Sequence, residues 1–189
     1  SLGFNLLGDG LRDVLDPRPD TEALVDAARR FIAASGVTAP HVLDICTGTG
    51  CIPVTLLHLY PAAVAHATDV SEAALVVAAR NVTRHGMDRR MTLQHASWLD
   101  GVTGRYHVIT CNPPYIPTRD IATLESDVRD YDPHLALDGG DDGLDPYRIL
   151  FPQIRERLEN DGAAFFEIGA GQADDVQKIA ASCGLQVFD

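Results

Sequence analysis

Residues 111 to 117 read CNPPYIP and contain groups that could hold a planar amide or amine nitrogen. Such a nitrogen is a poor nucleophile because its lone pair is delocalised, so a site can help by accepting its two N–H bonds. Asn112 supplies a side-chain carbonyl oxygen, and Pro113 supplies a backbone carbonyl with a fixed φ angle and no N–H of its own. Pro114 and Tyr115 complete the segment, and the tyrosine ring offers a flat face to a planar group. The competing interpretation is a loop that only ends a strand.

A glycine-bearing turn within LDICTGTG, residues 43 to 50, is the second stretch that suggests a ligand. Gly48 and Gly50 allow a tight turn and a close approach of the backbone. Asp69 ends the next predicted strand 19 residues after Gly50, where nucleotide-binding folds place an acid that accepts hydrogen bonds from ribose hydroxyls. Neither GxGxxG nor GxxxxGK[ST] occurs, so the pattern favours a ribose-containing ligand without phosphates, such as S-adenosylmethionine.

Trp98 is the only tryptophan and follows the third predicted strand. In a sheet of this kind the third strand neighbours the cofactor end, which would place the indole at an adenine pocket. A packing residue at the start of a loop is an equal alternative from position alone.

The two motifs together indicate a methyl donor held in line with a nitrogen, which is catalysis by orientation. We therefore predict that Asn112, Pro113 and Tyr115 are catalytic, and that the same residues with Pro114 bind the substrate. The upstream turn and Asp69 favour this interpretation over a simple strand-ending loop.

Strands alternate with helices along most of the chain. The predicted strands are HVLDIC, AVAHATD, MTLQHA, YHVITC and AAFFEIG, and LQVFD would begin a sixth; the predicted helices are RPDTEALVDAARRFI, CIPVTLLHLY, SEAALVVAARNVTRHG, PYRILFPQIRERLE and QADDVQKIAASCG. This order predicts an α/β fold, doubly wound, with a mostly parallel sheet and helices on both faces. Such sheets bind ligands beyond the carboxyl ends of the strands, where strand order reverses. Pro53 is tolerable in a first turn, whereas Pro152 should kink or break its helix.

Composition and charge narrow the classes of function. The 189 residues are 46% hydrophobic and 22% charged, which is typical of one globular domain. The formal net charge of −12 disfavours nucleic acid as a partner. The four cysteines form no CxxC pair and the seven histidines are scattered, so we predict no metal site. No apolar run approaches the roughly 20 residues that span a bilayer, and free thiols without a signal peptide indicate the cytoplasm.

The stretch YDPHLALDGGDDGLDPY, residues 131 to 147, is acidic and rich in glycine. Its carboxylates do not have the spacing of an EF-hand calcium loop. An exposed acidic loop is the simple interpretation, but a loop this long before a helix is often functional, for example as a lid.

These motifs together resemble the class I S-adenosylmethionine-dependent methyltransferases. More narrowly, they resemble the HemK-like (PrmC-type) protein-(glutamine-N5) methyltransferases, which modify peptide-chain release factors in translation termination. The similarity extends over nearly the whole chain, through PRPDTEALV, VLDICTGTGCI, ATDVSEAALVVAARN, NPPYIP, ALDGGDDGLDPYR and FFEIGAGQ. NPPY alone is shared with adenine-N6 and other amino-methylating enzymes, whereas PRPDTE and DGGDDGL point to the HemK group.

The resemblance implies a role for each predicted site residue. Asp69 would bind the ribose of S-adenosylmethionine, Trp98 would lie by the adenine, and the cofactor turn would consist of Cys46, Thr47, Gly48, Thr49 and Gly50. Asn112 would contact both cofactor and substrate, and Asn112 to Tyr115 would grip the glutamine amide of a Gly-Gly-Gln motif. The product would be S-adenosylhomocysteine. Arg18 and Glu22 are expected near the mouth of the active site.

The chain departs from the family pattern at several points. Cys46 stands where glycine is usual, although a small side chain should be tolerated, and Ser97 stands where aspartate is common. We expect one catalytic domain over residues 1–189, with an N-terminal extension and helix over 1–40 and a Rossmann-like core over 41–189. The helical N-terminal domain of the family is expected to be absent, and the C-terminal strand pair to be incomplete.

Two other functions compete with glutamine methylation. The first is adenine-N6 methylation of DNA or RNA, but the acidic charge and the lack of an aromatic-basic target-recognition domain count against it. The second is a cofactor-binding scaffold without catalysis, which the intact NPPY segment disfavours. The sequence indicates no oligomeric state.

Overall fold

The protein is described here by a computed structural model over residues 19–123 and 134–188, which form two compact units. The first unit takes the described residues up to Cys111, together with Leu158–Phe165. The second takes the described residues of Asn112–Arg157 and those from Phe166 onward. The irregular N-terminal stretch, Arg18 and the first residues of the acidic loop lie outside the described residues.

Helices and strands alternate in the first unit, as the sequence predicts. Its helices are α1 (Pro19–Ser35), α2 (Cys51–Leu59) and α3 (Glu72–Arg84). Its strands are β1 (His41–Ile45), β2 (Val64–Asp69), β3 (Met91–His95), β4 (Tyr106–Cys111) and β5 (Leu158–Phe166), the last residue of which belongs to the second unit. The Ser71 side chain caps α3 by accepting the Ala74 N–H at 3.2 Å.

The five strands form one sheet in the order β3-β2-β1-β4-β5, which confirms the predicted doubly wound fold. β1 pairs in parallel with β2 on one side and with β4 on the other, so strand order reverses beside β1. The register pairs Ile45 with Thr68 and with Cys111. The carboxyl ends of β1, β2 and β4 therefore meet at one edge of the sheet, where this fold class binds its ligands.

An apolar core explains why the first unit adopts this arrangement. β1 is buried over all but its first residue, as expected for the central strand of a parallel sheet. α2 is apolar all round and buries Ile52 to Leu57, including Pro53 in its first turn, where a missing N–H costs nothing. One face of α1 packs into the same core through Leu24, Val25, Ala28 and Ile32.

The second unit contains α4 (Asp145–Arg157) and α5 (Ala173–Ser182), with short 3-10 turns at Thr118–Thr123 and His134–Ala136. α4 runs through Pro152 as one element, so of the two predicted effects, a kink or a break, the break does not occur. Pro152 has no backbone N–H to donate to the preceding turn of the helix. In that turn, the carbonyl of Ile149 accepts a hydrogen bond from the side chain of Gln153 at 2.8 Å. Phe166 packs against Phe151 in α4, with ring centroids 5.1 Å apart.

The predicted sixth strand, LQVFD, is wrong for the described residues 185–188, which form no strand. Leu185 instead donates its N–H to the carbonyl of Ala180 at 3.0 Å and so closes the end of α5. A strand needs hydrogen bonds to a neighbouring strand, and this bond commits the first residue of the segment to the helix terminus.

Candidate functional site

The turn after β1 brings backbone N–H groups together at the edge of the sheet. Cys46 and Gly48 both lie in the left-handed region, with φ of 58° and 56°. The N–H of Thr47 donates to the carbonyl of Thr68 at 3.0 Å, which ties the turn to the end of β2. A Cβ at Gly48 would have no neighbour within 4 Å, so glycine here serves the backbone conformation and leaves open space above it.

Asp69 links this turn to the start of α3. One carboxylate oxygen accepts the Gly48 N–H at 2.8 Å, and the other accepts the Ser71 N–H at 2.8 Å. Each carboxylate oxygen has a second lone pair, so both keep acceptor capacity for ligand hydroxyls. The structure thus places Asp69 where the sequence predicts it, beside the glycine turn and already oriented.

Trp98 is tied to the same end of β2 through its backbone. Its carbonyl accepts the Thr68 hydroxyl at 3.0 Å, and the N–H of Ala96 donates to the Asp69 carbonyl at 3.0 Å. The residue has a φ of 53°, which is strained for a bulky side chain. Its side chain is half-buried and does not belong to the apolar core of the first unit. These contacts fix the backbone of Trp98, and the place of its side chain at an adenine pocket stays a prediction.

Asp44, which was not among the predicted site residues, lies fully buried near the end of β1. The Thr110 hydroxyl donates to its Oδ1 at 2.6 Å. Burial raises the pKa of this carboxyl to about 7, although the hydroxyls of Thr110 and Thr47 lower it in part. Within the described residues, Asp44 Oδ2 and Thr47 Oγ1 are buried without a well-formed hydrogen bond. An aspartate inside an apolar central strand is the sequence signal that could have identified it.

Two cysteines near this turn, Cys51 and Cys111, are unsuited to nucleophilic chemistry. Burial raises the pKa of the Cys111 thiol well above its ordinary value, and the neighbouring Cys46 thiol raises it further. Burial also raises the pKa of Cys51 to about 11. The thiolate is the reactive form of cysteine, so Cys51 and Cys111 are inert near neutral pH.

The turn also depends on a residue that sequence reasoning missed, Asn81. Its side chain is buried within α3, and its Nδ2 donates to the Thr49 carbonyl at 2.9 Å. A polar residue on the buried face of an amphipathic helix is a recognisable signal for such a contact. Asn81 therefore stabilises the backbone of the glycine turn at Thr49.

In the second unit, the NPPYIP segment is held by the start of the DGGDDGL loop. Ile116 donates to the Leu137 carbonyl at 3.0 Å and accepts from the Gly139 N–H at 2.8 Å. Thr118 donates to the Gly140 carbonyl at 2.9 Å. The loop therefore supports the C-terminal end of the segment.

Asn112 is half-buried, and Pro113 next to it is buried. Within the described ranges the Asn112 side chain makes no hydrogen bond to the protein. The predicted role of its amide oxygen as an acceptor for a substrate N–H stays a prediction.

Tyr115 is held at both ends. Its hydroxyl donates to Glu167 Oε1 at 3.0 Å, and its carbonyl accepts from Gln172 Nε2 at 2.9 Å. A Cβ at Gly143, where φ is 78°, would lie 2.4 Å from the Tyr115 carbonyl oxygen, and one at Gly139 would lie 2.8 Å from its Cα. The glycines of the loop therefore allow it to approach Tyr115 closely.

A cavity of about 420 Å³ lies beside this segment in the second unit, a size typical of small-ligand pockets. Its walls come from the Tyr115 end of the segment, the acidic loop and the start of α5, and are formed by Tyr115, Ile116, Pro117, Asp120, Asp142, Leu144, Gly169, Ala170, Gly171, Gln172 and Asp175. Arg148 pairs with Asp142 at 2.6 Å and holds the pKa of that carboxyl at about 2. The cavity therefore has a polar wall that stays charged near neutral pH.

Over residues 19–123 and 134–188, no group of three histidine, cysteine, aspartate or glutamate side chains could hold a metal ion. None of the helices in these ranges is long and apolar enough to cross a membrane.

Comparisons with known proteins agree with this geometry. A family model described as the methyltransferase small domain matches residues 21–130. The solved structure of a ribosomal protein L11 methylase from Lactobacillus delbrueckii subsp. bulgaricus is 22% identical, with a TM-score of 0.63 over 90% of this chain and 72% of that one. A methyltransferase from Pyrococcus furiosus is 19% identical, with a TM-score of 0.64 over 87% of this chain and 74% of that one. These two structures confirm the fold.

Curated relatives named release factor glutamine methyltransferase confirm the resemblance seen in the motifs. That of Rhodospirillum rubrum is 44% identical over 94% of this chain and 54% of its own length. That of Agrobacterium fabrum is 41% identical over 94% of this chain and 62% of its own. The chain thus spans little more than half the length of these relatives. Because the family model covers more than half of the 189 residues, the protein belongs to the methyltransferase small-domain family.

Proposed function

We propose that the protein transfers a methyl group from S-adenosylmethionine to the side-chain amide N5 of the glutamine in the Gly-Gly-Gln motif of a peptide-chain release factor. The observation that carries this proposal is the Asn112–Tyr115 segment, in which an uncommitted amide precedes a tyrosine held at both ends. The release-factor glutamine methyltransferases to which the chain is 41–44% identical support the choice of substrate. Such a substrate places the activity in the cytoplasm.

The residues of the first unit fit S-adenosylmethionine. Asp69 keeps two oriented acceptors for ribose hydroxyls, and the open space above Gly48 lets a ligand approach the turn. Trp98 offers a half-buried aromatic surface for adenine. The buried, under-satisfied Asp44 oxygen gives the site an acceptor for a cationic group. When bound, this cofactor supplies an electrophilic methyl group, and the product is S-adenosylhomocysteine.

The residues of the second unit orient the substrate amide. Asn112 accepts one N–H of the glutamine side chain, and the Pro113 carbonyl accepts the other. These two bonds would orient the nitrogen lone pair for attack on the methyl group of a bound cofactor. The methyl–sulfur bond would break as the carbon–nitrogen bond forms, which leaves S-adenosylhomocysteine, and the nitrogen would lose one proton to water. The Tyr115 ring lies against the planar amide and limits its rotation. Catalysis is then mainly orientation. Holding the reacting atoms in line can lower the activation free energy by on the order of 7–11 kcal/mol at best.

Mass spectrometry of a release factor incubated with the protein and S-adenosylmethionine tests the proposal. We expect one methyl group on the glutamine of the Gly-Gly-Gln motif, and none on a release factor in which asparagine replaces that glutamine. An adenine-containing oligonucleotide belongs in a parallel reaction, because NPPY also occurs in adenine-N6 methyltransferases. Methylation of the oligonucleotide with an unmodified release factor would show that the substrate is a base.

A further inference from the structure

We propose that Glu167 is a positioning residue that fixes the Tyr115 ring against the substrate amide; this inference rests on the function proposed above. Glu167 follows β5 directly, and its Oε1 accepts the Tyr115 hydroxyl at 3.0 Å. A hydrogen bond to a carboxylate is roughly twice as strong as one between neutral groups. It therefore sets the direction in which the ring points.

Glu167 is itself anchored in the core of the second unit. Its backbone carbonyl accepts the Tyr147 hydroxyl at 3.0 Å, and Tyr147 is fully buried. Tyr147 packs against the rings of Phe151 and Phe166, with centroids 5.8 Å and 6.1 Å away. The carboxylate thus projects from a backbone whose position is set by core packing.

The other end of Tyr115 is fixed by Gln172, which precedes α5. Gln172 Nε2 donates to the carbonyls of Tyr115 and Gly143 at 2.9 and 3.3 Å, and its Oε1 accepts the Gly169 N–H at 2.9 Å. With the backbone held in this way, the ring can still rotate about its side-chain bonds. The contact with Glu167 selects one ring orientation.

Loss of that orientation should act on turnover more than on binding. A displacement of about 1 Å at reacting atoms can cost about 100-fold in rate. We expect Glu167→Ala to lower kcat by about 10- to 100-fold on a release factor. Cofactor affinity should change by less than about twofold, because Glu167 acts on the substrate-binding segment through the Tyr115 hydroxyl.

The experiment compares Glu167→Ala, Glu167→Gln, Tyr115→Phe and the double variant Glu167→Ala/Tyr115→Phe. The Gln variant keeps an acceptor oxygen and should retain most of the turnover. Glu167→Ala and Tyr115→Phe break the same bond, so the double variant should be no slower than the slower single variant. Tyr60→Phe, which removes a 2.9 Å hydroxyl bond to the Arg29 carbonyl in the first unit, is the control for a lost tyrosine hydroxyl.

The outcomes separate the two proposals. If the unaltered protein methylates no release factor, the proposed function fails. If it does so and Glu167→Ala turns over normally, or if the two single effects multiply in the double variant, the positioning role is wrong. Thermal melts show whether each variant is folded, and Tyr115→Phe, which breaks the same hydrogen bond, tests the positioning role even if the alanine variant does not fold.

Discussion

The carboxylate of Asp69 accepts the backbone N–H of Gly48 at 2.8 Å across 21 residues of sequence. The acid predicted to bind a ribose therefore also shapes the glycine turn. A substitution at Asp69 is therefore expected to affect both ribose binding and the glycine turn.

We expect Asp69→Ala to weaken S-adenosylmethionine binding by roughly 10- to 150-fold. Loss of a hydrogen bond to a charged group costs about 1.5–3 kcal/mol. Calorimetric titration measures the change, and Asp88→Ala is the matched control because that exposed carboxylate accepts the Thr83 hydroxyl at 2.7 Å. An unchanged dissociation constant for Asp69→Ala would remove this residue from the cofactor site.

Trp98 should report cofactor binding through its fluorescence. It is the only indole in the chain, so no second tryptophan contributes to the signal. The half-buried ring should change its emission when adenine covers it. Emission that stays constant up to saturating cofactor would identify Trp98 as a packing residue.

Asn112→Ala should lower turnover on a release factor by at least about 100-fold, with a much smaller effect on cofactor affinity. One substrate N–H would be left buried without an acceptor, at a cost of about 1–3 kcal/mol, and misalignment adds to this. A melt, a cofactor titration and a methylation assay on the same preparation separate these effects. Near-normal turnover would mean that NPPY is only a strand-ending loop.

Asp44 should make stability fall as pH rises, in the absence of cofactor. Its pKa is about 7 in the folded protein, against about 4 in an unfolded chain, so the folded state holds an extra proton between these values. Stability is therefore lost from about pH 4 to 7, by an amount on the order of a few kcal/mol. In urea unfolding, Asp44→Asn should have a higher free energy of unfolding than the unaltered protein at pH 8. This difference should be much smaller at pH 5. If the difference in free energy of unfolding is the same at both pH values, ionisation of the buried Asp44 carboxyl is not its cause.

Gly143→Ala should destabilise the second unit by more than an ordinary positive-φ substitution. The new Cβ would lie 2.4 Å from the Tyr115 carbonyl oxygen, where overpacking costs about 1–3 kcal/mol, in addition to about 1–2 kcal/mol for the left-handed backbone. Gly104→Ala is the control, because φ there is 89° and no atom lies within 4 Å of the new Cβ. If both variants lose the same free energy of unfolding, the loop around residue 143 must shift enough to accommodate the new Cβ.

The sequence contains enough local information for the sheet, the glycine turn and Asp69, because each depends on periodicity or on residues close together in the chain. Glu167 and Gln172 were missed because their contacts with Tyr115 span 52 and 57 residues. No local pattern specifies such a pairing. The sixth strand was predicted from the alternation of strands and helices along the chain, and the helix-closing bond of Leu185 ends that alternation over the described residues.

The left-handed backbone of Cys46 has a consequence for which substitutions this position can accept. A residue with a Cβ costs about 1–2 kcal/mol in that conformation, and glycine does not. Mutation to glycine would therefore relieve a penalty that the present chain carries. Valine or isoleucine would increase it, because branching at Cβ tolerates φ of 58° poorly. At residue 46, glycine should therefore lower the backbone penalty and β-branched residues should raise it. The backbone conformation limits the substitutions at this position more than the chemistry of the thiol does.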